Sequence, residues 1–163
     1  MSEPIPLSFT LNGKPVAAFV EPRKSLADFL REDRSLTATR LGCEMGTCGA
    51  CLVMMDGAPA HACLVLAVQA EGAEITTLEG QSEDALMVDL QAAFVDRNAS
   101  QCGFCTSGML TTALAYVRQG GAPDRAAIRE ALSGNYCRCT GYEAIVDAIA
   151  SVAETAMLKE AAA

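Results

Sequence analysis

Residues 42–53 read GCEMGTCGACLV, and the placing of their three cysteines decides how the rest of the chain is read. Cys43, Cys48 and Cys51 stand at C-x4-C-x2-C, and Cys63 follows after eleven intervening residues. This is the layout that holds a plant-type 2Fe-2S cluster on four thiolates. Small residues fill the gaps. Gly42, Gly46, Gly49 and Ala50 let the backbone come close to a bulky anion and leave room for its inorganic sulfides.

The sequence around this loop alternates. Ile5, Leu7, Phe9 and Leu11 are spaced by polar or small residues, and Asn12-Gly13 gives a two-residue turn into a second alternating run from Lys14 to Val20. Ser25 caps a short helix with Asp28 at the third position and Leu26, Phe29 and Leu30 on its inner face. Beyond the loop, CLVMMDG and HACLVLAV predict two more strands around a Gly57-Ala58-Pro59 turn, and Ile75-Thr76-Thr77-Leu78 predicts a fifth. The expected result is a sheet gripping one helix.

Near Glu79-Gly80-Gln81-Ser82 the period changes from strand to helix, so a domain boundary is expected there, with residues 1–80 on one side and 81–163 on the other. Ser82 is expected to cap a helix carrying Glu83 and Asp84 in its first turn and Leu86, Leu90 and Phe94 on one face. A second helix runs from Thr106 to Gln119, and Pro123-Asp124 opens a third that closes at Ser133-Gly134. Thr140-Gly141-Tyr142-Glu143 reads as a capping box opening a fourth, and the terminal alanines are expected to fray. The fold class is thus α+β, with four helices in the C-terminal half.

That half carries a second cysteine set, Cys102, Cys105, Cys137 and Cys139, in QCGFCTSGM and GNYCRCTGY. One helical turn would bring Cys102 and Cys105 to the same side, whereas Cys137 and Cys139 require extended backbone. Each pair precedes a helix, so two positive helix ends are expected to face one anionic group. A structural zinc knuckle usually repeats the C-x2-C spacing, which neither set does. A Rieske centre needs two histidines, and His61 is the only one; it reads as a strand-surface residue. A thioredoxin-like role for Cys102 and Cys105 would leave six cysteines unexplained, and Met54, Met55, Met87 and Met109 read as core filler.

The composition narrows the function. At 163 residues and 51% hydrophobic the chain supports a sizeable core, and a formal charge of -8 argues against nucleic acid or anionic membrane as a partner. MSEPIPLSFT lacks the basic and apolar regions of a secretory signal, and no uncharged run reaches membrane-spanning length, so a cytoplasmic location is expected. A reducing compartment favours metal ligation over disulfides. No nucleophile-base pair or phosphate-cradling loop stands out, so the chain reads as a conduit for electrons without a substrate site of its own.

In these motifs the chain resembles the small iron-sulfur subunit, or N-terminal iron-sulfur region, of the xanthine oxidase family of molybdenum hydroxylases. GCEMGTCGAC is similar to that family's N-terminal cluster motif, and QCGFC with NYCRCTGY to its C-terminal one. The resemblance implies a ferredoxin-like β-grasp domain, a helical domain, and two 2Fe-2S clusters. It also implies a large molybdopterin subunit and a medium FAD subunit as partners in a hetero-oligomer. Electrons would pass from molybdenum through the C-terminal cluster and then the N-terminal one to flavin or another acceptor. Gln101 and Cys139 match positions that lie against the pterin in the family. Ser107 stands where many relatives have proline, and serine is expected to cap the helix there instead. The alternative function is a free-standing two-cluster ferredoxin or redox sensor, and the helical half discriminates against it because a soluble plant-type ferredoxin needs only the first motif.

Overall fold

The computed structural model describes residues 3–161. β1 (Ile5–Leu11) and β2 (Lys14–Val20) form the expected hairpin, paired from Ile5–Val20 to Leu11–Lys14. Asn12 and Gly13 both hold positive φ, 51° and 72°, the turn whose twist suits the strands it joins. Leu7, Phe9 and Leu11 face inward.

α1 (Leu26–Asp28) crosses this inner face and continues as a π-helical turn over Phe29–Asp33. The Ser25 hydroxyl caps it by accepting the Asp28 N–H at 3.0 Å. The Phe29 ring meets Phe9 edge-on, with centroids 5.7 Å apart. Leu26, Phe29 and Leu30 are all buried, and each contributes about 1.5–3 kcal/mol, which holds a helix too short to persist alone.

β3 (Leu52–Met55), β4 (Ala58–His61) and β5 (Glu74–Thr76) complete a mixed sheet of order β2-β1-β5-β3-β4 among the described residues. β5 runs parallel to β1, and the other pairs are antiparallel. The strand expected over HACLVLAV is displaced. The hairpin turn is Asp56-Gly57, with φ of 50° and 81°, so β4 begins at Ala58 and ends at His61. Two local signals outweigh the apolar run: Asp-Gly fits a tight turn, and Pro59 is tolerated on an outer strand where its missing N–H breaks no ladder. The rest of the run passes through Cys63 into a 3-10 turn over Ala67–Ala70.

The helices follow as α2 (Ala85–Asp96), α3 (Thr106–Arg118), α4 (Arg125–Ala131) and α5 (Glu143–Ala161). Asp84 caps α2 in place of Ser82, accepting the Met87 N–H at 3.1 Å. The capping box expected at α5 is only half made. Thr140 Oγ1 accepts the Tyr142 N–H at 3.2 Å, but the Glu143 carboxylate is drawn away to Arg125 and Arg129 of α4. The expected fraying concerns residues 162 and 163, which lie outside the described residues, and Ala161 is still helical.

Two apolar cores result. One joins Leu7, Phe9, Phe29, Leu30, Val53 and Ile75, and the other Leu90, Phe94, Met109, Leu114, Ile128 and Ile149. They meet at a seam where α3 lies against β3 and β4. The chain is therefore α+β, a mixed sheet followed by helices. Among the described residues no helix is long and apolar enough to cross a membrane.

Candidate metal centres

Cys43, Cys48 and Cys51 lie in the loop between the π-helical turn and β3, and Cys63 lies just past β4. The Cys43 Sγ accepts backbone N–H bonds from Met45 at 3.5 Å and Thr47 at 3.4 Å. The Thr47 hydroxyl and these two amides pull the Cys43 thiol down to about 5. Cys51 lies at the opposite extreme. It is 2% exposed, and burial pushes its thiol up to about 12, beside Cys63.

Gly46 and Gly49 hold positive φ, 73° and 70°, and a Cβ on Gly42 would lie 3.2 Å from Cys48 Sγ. The space beside Gly46 is filled by Leu64. A Cβ on Gly49, at φ +70°, would come within 2.5 Å of both Asn135 Nδ2 and the Gly134 carbonyl oxygen. The first loop is thus pressed against the second by its small residues.

Cys102 and Cys105 do not share a helical turn. Cys102-Gly103-Phe104 forms a bend, and Cys105 is the residue before α3. Cys137 and Cys139 occupy an irregular segment ahead of α5, as expected from their spacing. The sulfurs associate across the two segments, Cys102 with Cys139 and Cys105 with Cys137. Burial pushes the Cys105 thiol up to about 12. Burial also opposes ionisation of Cys137, but hydrogen bonds led by the Thr140 hydroxyl, 3.1 Å from its Sγ, bring that thiol below its ordinary range. The Phe104 N–H lowers Cys102, and the bond with Cys102 raises Cys139.

The first set is gathered likewise, with Cys43 beside Cys48 and Cys51 beside Cys63. Among the described residues no three His, Cys, Asp or Glu side chains converge as they would around one ion. Instead each set offers two thiol pairs. That donor set fits a 2Fe-2S core, in which each tetrahedral iron takes two thiolates and shares two sulfides.

Gln101, Cys102 and Cys139 are all exposed and form the open edge of the second set. His61 sits on β4 as expected, with a buried Nδ1 that has no partner among the described residues. Ser107 is the second residue of α3 and does not cap it; its hydroxyl is buried without a partner among the described residues. Sequence reasoning missed Tyr142 and Asn135. The Tyr142 hydroxyl accepts the Cys137 N–H at 2.8 Å and donates to the Asn135 carbonyl at 3.1 Å, which pins the CRC segment. Both residues stand in GNYCRCTGY, but an asparagine after glycine signals a turn and gives no hint of a distant partner.

Residues 9–85 match the 2Fe-2S iron-sulfur cluster binding domain, and residues 77–150 match a second 2Fe-2S binding domain. The gamma subunit of caffeine dehydrogenase from Pseudomonas sp. (strain CBB1) is 48% identical over 152 residues, covering 91% of each chain. The xanthine dehydrogenase iron-sulfur-binding subunit of Escherichia coli O157:H7 is 40% identical, over 94% of this chain and 98% of that one. The chain belongs to the xanthine oxidase family, as one of its small iron-sulfur subunits. A solved chain of quinoline 2-oxidoreductase from Pseudomonas putida 86 has the same fold, with a TM-score of 0.89 and 52% identity over 98% of this chain and 99% of that one. The relatives that resemble the chain over more than nine-tenths of its length are oxidoreductase subunits, and the chain is the electron-transfer component of such a complex, carrying two 2Fe-2S clusters.

Proposed function

We propose that Cys43, Cys48, Cys51 and Cys63 hold one 2Fe-2S cluster and Cys102, Cys105, Cys137 and Cys139 the other. Residues 1–80 form a ferredoxin-like β-grasp unit and residues 81–163 a four-helix unit, each supplying all the ligands of its own cluster. When bound, each cluster takes up and releases one electron at a time. The residues around them set the environment: Met45 and Thr47 donate hydrogen bonds to Cys43, and Thr140 donates to Cys137. Donors aimed at sulfur favour the more negative, reduced form.

The observation that carries the direction of flow is the exposed edge formed by Gln101, Cys102 and Cys139. A glutamine amide both donates and accepts, which suits a polar pterin. This edge is where a large molybdopterin subunit docks, and Gln101 and Cys139 contact its cofactor. Electrons enter there and leave from the first set towards a medium FAD subunit or another acceptor, in a cytoplasmic hetero-oligomer. The test is rapid mixing of the assembled complex carrying Gln101→Leu. Substrate should reduce both clusters more slowly while dithionite reduces them as before. Unchanged reduction by substrate would place the docking edge elsewhere.

A further inference from the structure

The two cysteine sets are joined by one short connection. The Tyr136 N–H donates to the Cys48 carbonyl at 2.9 Å, and Tyr136 is bonded directly to Cys137. Cys48 therefore stands at one end of a single hydrogen bond, and the covalent neighbour of Cys137 stands at the other. The neighbour of Tyr136 holds that bond in place. Asn135 is 3% exposed, and its Oδ1 accepts the Thr112 hydroxyl of α3 at 2.8 Å. Its Nδ2 reaches the Gly49 carbonyl at 3.5 Å, and its own carbonyl accepts the Tyr142 hydroxyl at 3.1 Å. One buried amide thus ties α3, the first loop and the base of α5 together.

Two glycines permit this approach. Any Cβ on Gly108 of α3 would overlap the Gly49 carbonyl, and one on Gly49 would press into Gly134 and Asn135. The backbone after Cys48 is held between α3 on one side and the Gly134-Asn135 segment on the other. Close packing of this kind leaves few alternative positions for the Cys48 carbonyl.

We propose that Asn135 is the positioning residue of the junction between the two metal centres, holding the Tyr136 N–H to Cys48 C=O bond so that electrons exchange between the centres through it. This rests on the ligand assignment proposed above. One electron lost by one centre is gained by the other, and no bond of the junction is broken because the Tyr136 N–H keeps its proton. Asn135 touches neither set of thiols in this role and acts through the backbone of Tyr136. Thr112 supports it at one remove, since its hydroxyl fixes which way the amide faces.

The test uses the full chain loaded with iron and sulfide. Iron and sulfide content and the two separate electron paramagnetic resonance signals are measured first in the unaltered chain; failure there overturns the ligand assignment, and the proposal with it. Asn135→Ala is then prepared, together with Asn135→Asp, which keeps the acceptor for Thr112 and loses the donor to Gly49. The expected result for Asn135→Ala is full iron content, both signals retained, and a several-fold slower exchange of electrons between the centres. Asn135→Asp should restore part of that rate. A variant that keeps both clusters with the exchange rate unchanged overturns the proposal. So does loss of a cluster in both variants, because Asn135 would then be a residue of the ligand scaffold and not of the junction.

Discussion

The two cysteine sets each present four thiols on frames that have little else in common. The first is held in a loop between a short helix and a sheet strand, and its most buried member, Cys51, is sealed under the seam. The second is gathered from the approaches to α3 and α5, and a whole thiol pair, Cys102 with Cys139, is left exposed. At Cys43 the Thr47 hydroxyl acts with the amides of Met45 and Thr47, whereas in the second set the Phe104 amide serves Cys102 and the Thr140 hydroxyl serves Cys137. The difference teaches that two sets of four cysteines can be built on unlike frames, and that the frame decides which thiols face outward. An open edge at the second set and a clamped contact between the sets give the chain two ends.

The strongest way to break this comparison is to remove one set. Cys48→Ser is expected to lose about two of four irons per chain and one resonance signal while the second signal persists. Loss of both signals from a soluble, folded product would show that the frames are not independent. A smaller effect is expected at the seam. Gly108→Val drives a side chain into the Gly49 carbonyl and should destabilise the chain by roughly 1–3 kcal/mol or more in denaturant unfolding. Gly134→Ala meets open space and serves as the control, with a change of a few tenths of a kcal/mol. Equal costs at the two positions would mean that the seam is not tightly packed.

How much of this was legible in sequence depended on whether the signal was local. The opening hairpin was plain, because Asn12-Gly13 and the alternation of Leu7, Phe9 and Leu11 report the same geometry twice. The fourth strand is displaced, because HACLVLAV is apolar from Ala62 onward while the turn at Asp56-Gly57 decides the pairing. Both cysteine sets were visible from spacing, whereas the partition of sulfurs into pairs across segments depends on tertiary placement. Glu143 shows the same limit. Its spacing from Thr140 suggests a capping box, but Arg125 and Arg129, distant in sequence, compete for the carboxylate and win. Gly49 also makes room for Asn135, a contact that its spacing from the cysteines does not signal.

A finer contrast lies within the first set, in the metal-free chain. Cys43 is lowered from its ordinary value of 9.0 to about 5, so its thiolate is favoured by the folded state and persists until the pH falls through about 5. Alkylation of Cys43, followed by mass spectrometry in protein shown to be folded, should hold steady between about pH 6 and 8 and fall below about 5. An unperturbed thiol would instead react about tenfold faster for each pH unit gained over that range. Cys51 and Cys105, both pushed up to about 12 by burial, should stay unmodified throughout.

The account stands most directly on how much metal the chain holds and in what form. Iron, zinc and acid-labile sulfide should be measured on the purified full chain, together with the resonance spectrum after dithionite reduction. The expected result is about four irons and four sulfides per chain, no stoichiometric zinc, and two distinct signals of unequal potential. Two irons per chain with one signal integrating to a single spin, or zinc in place of iron, would contradict it.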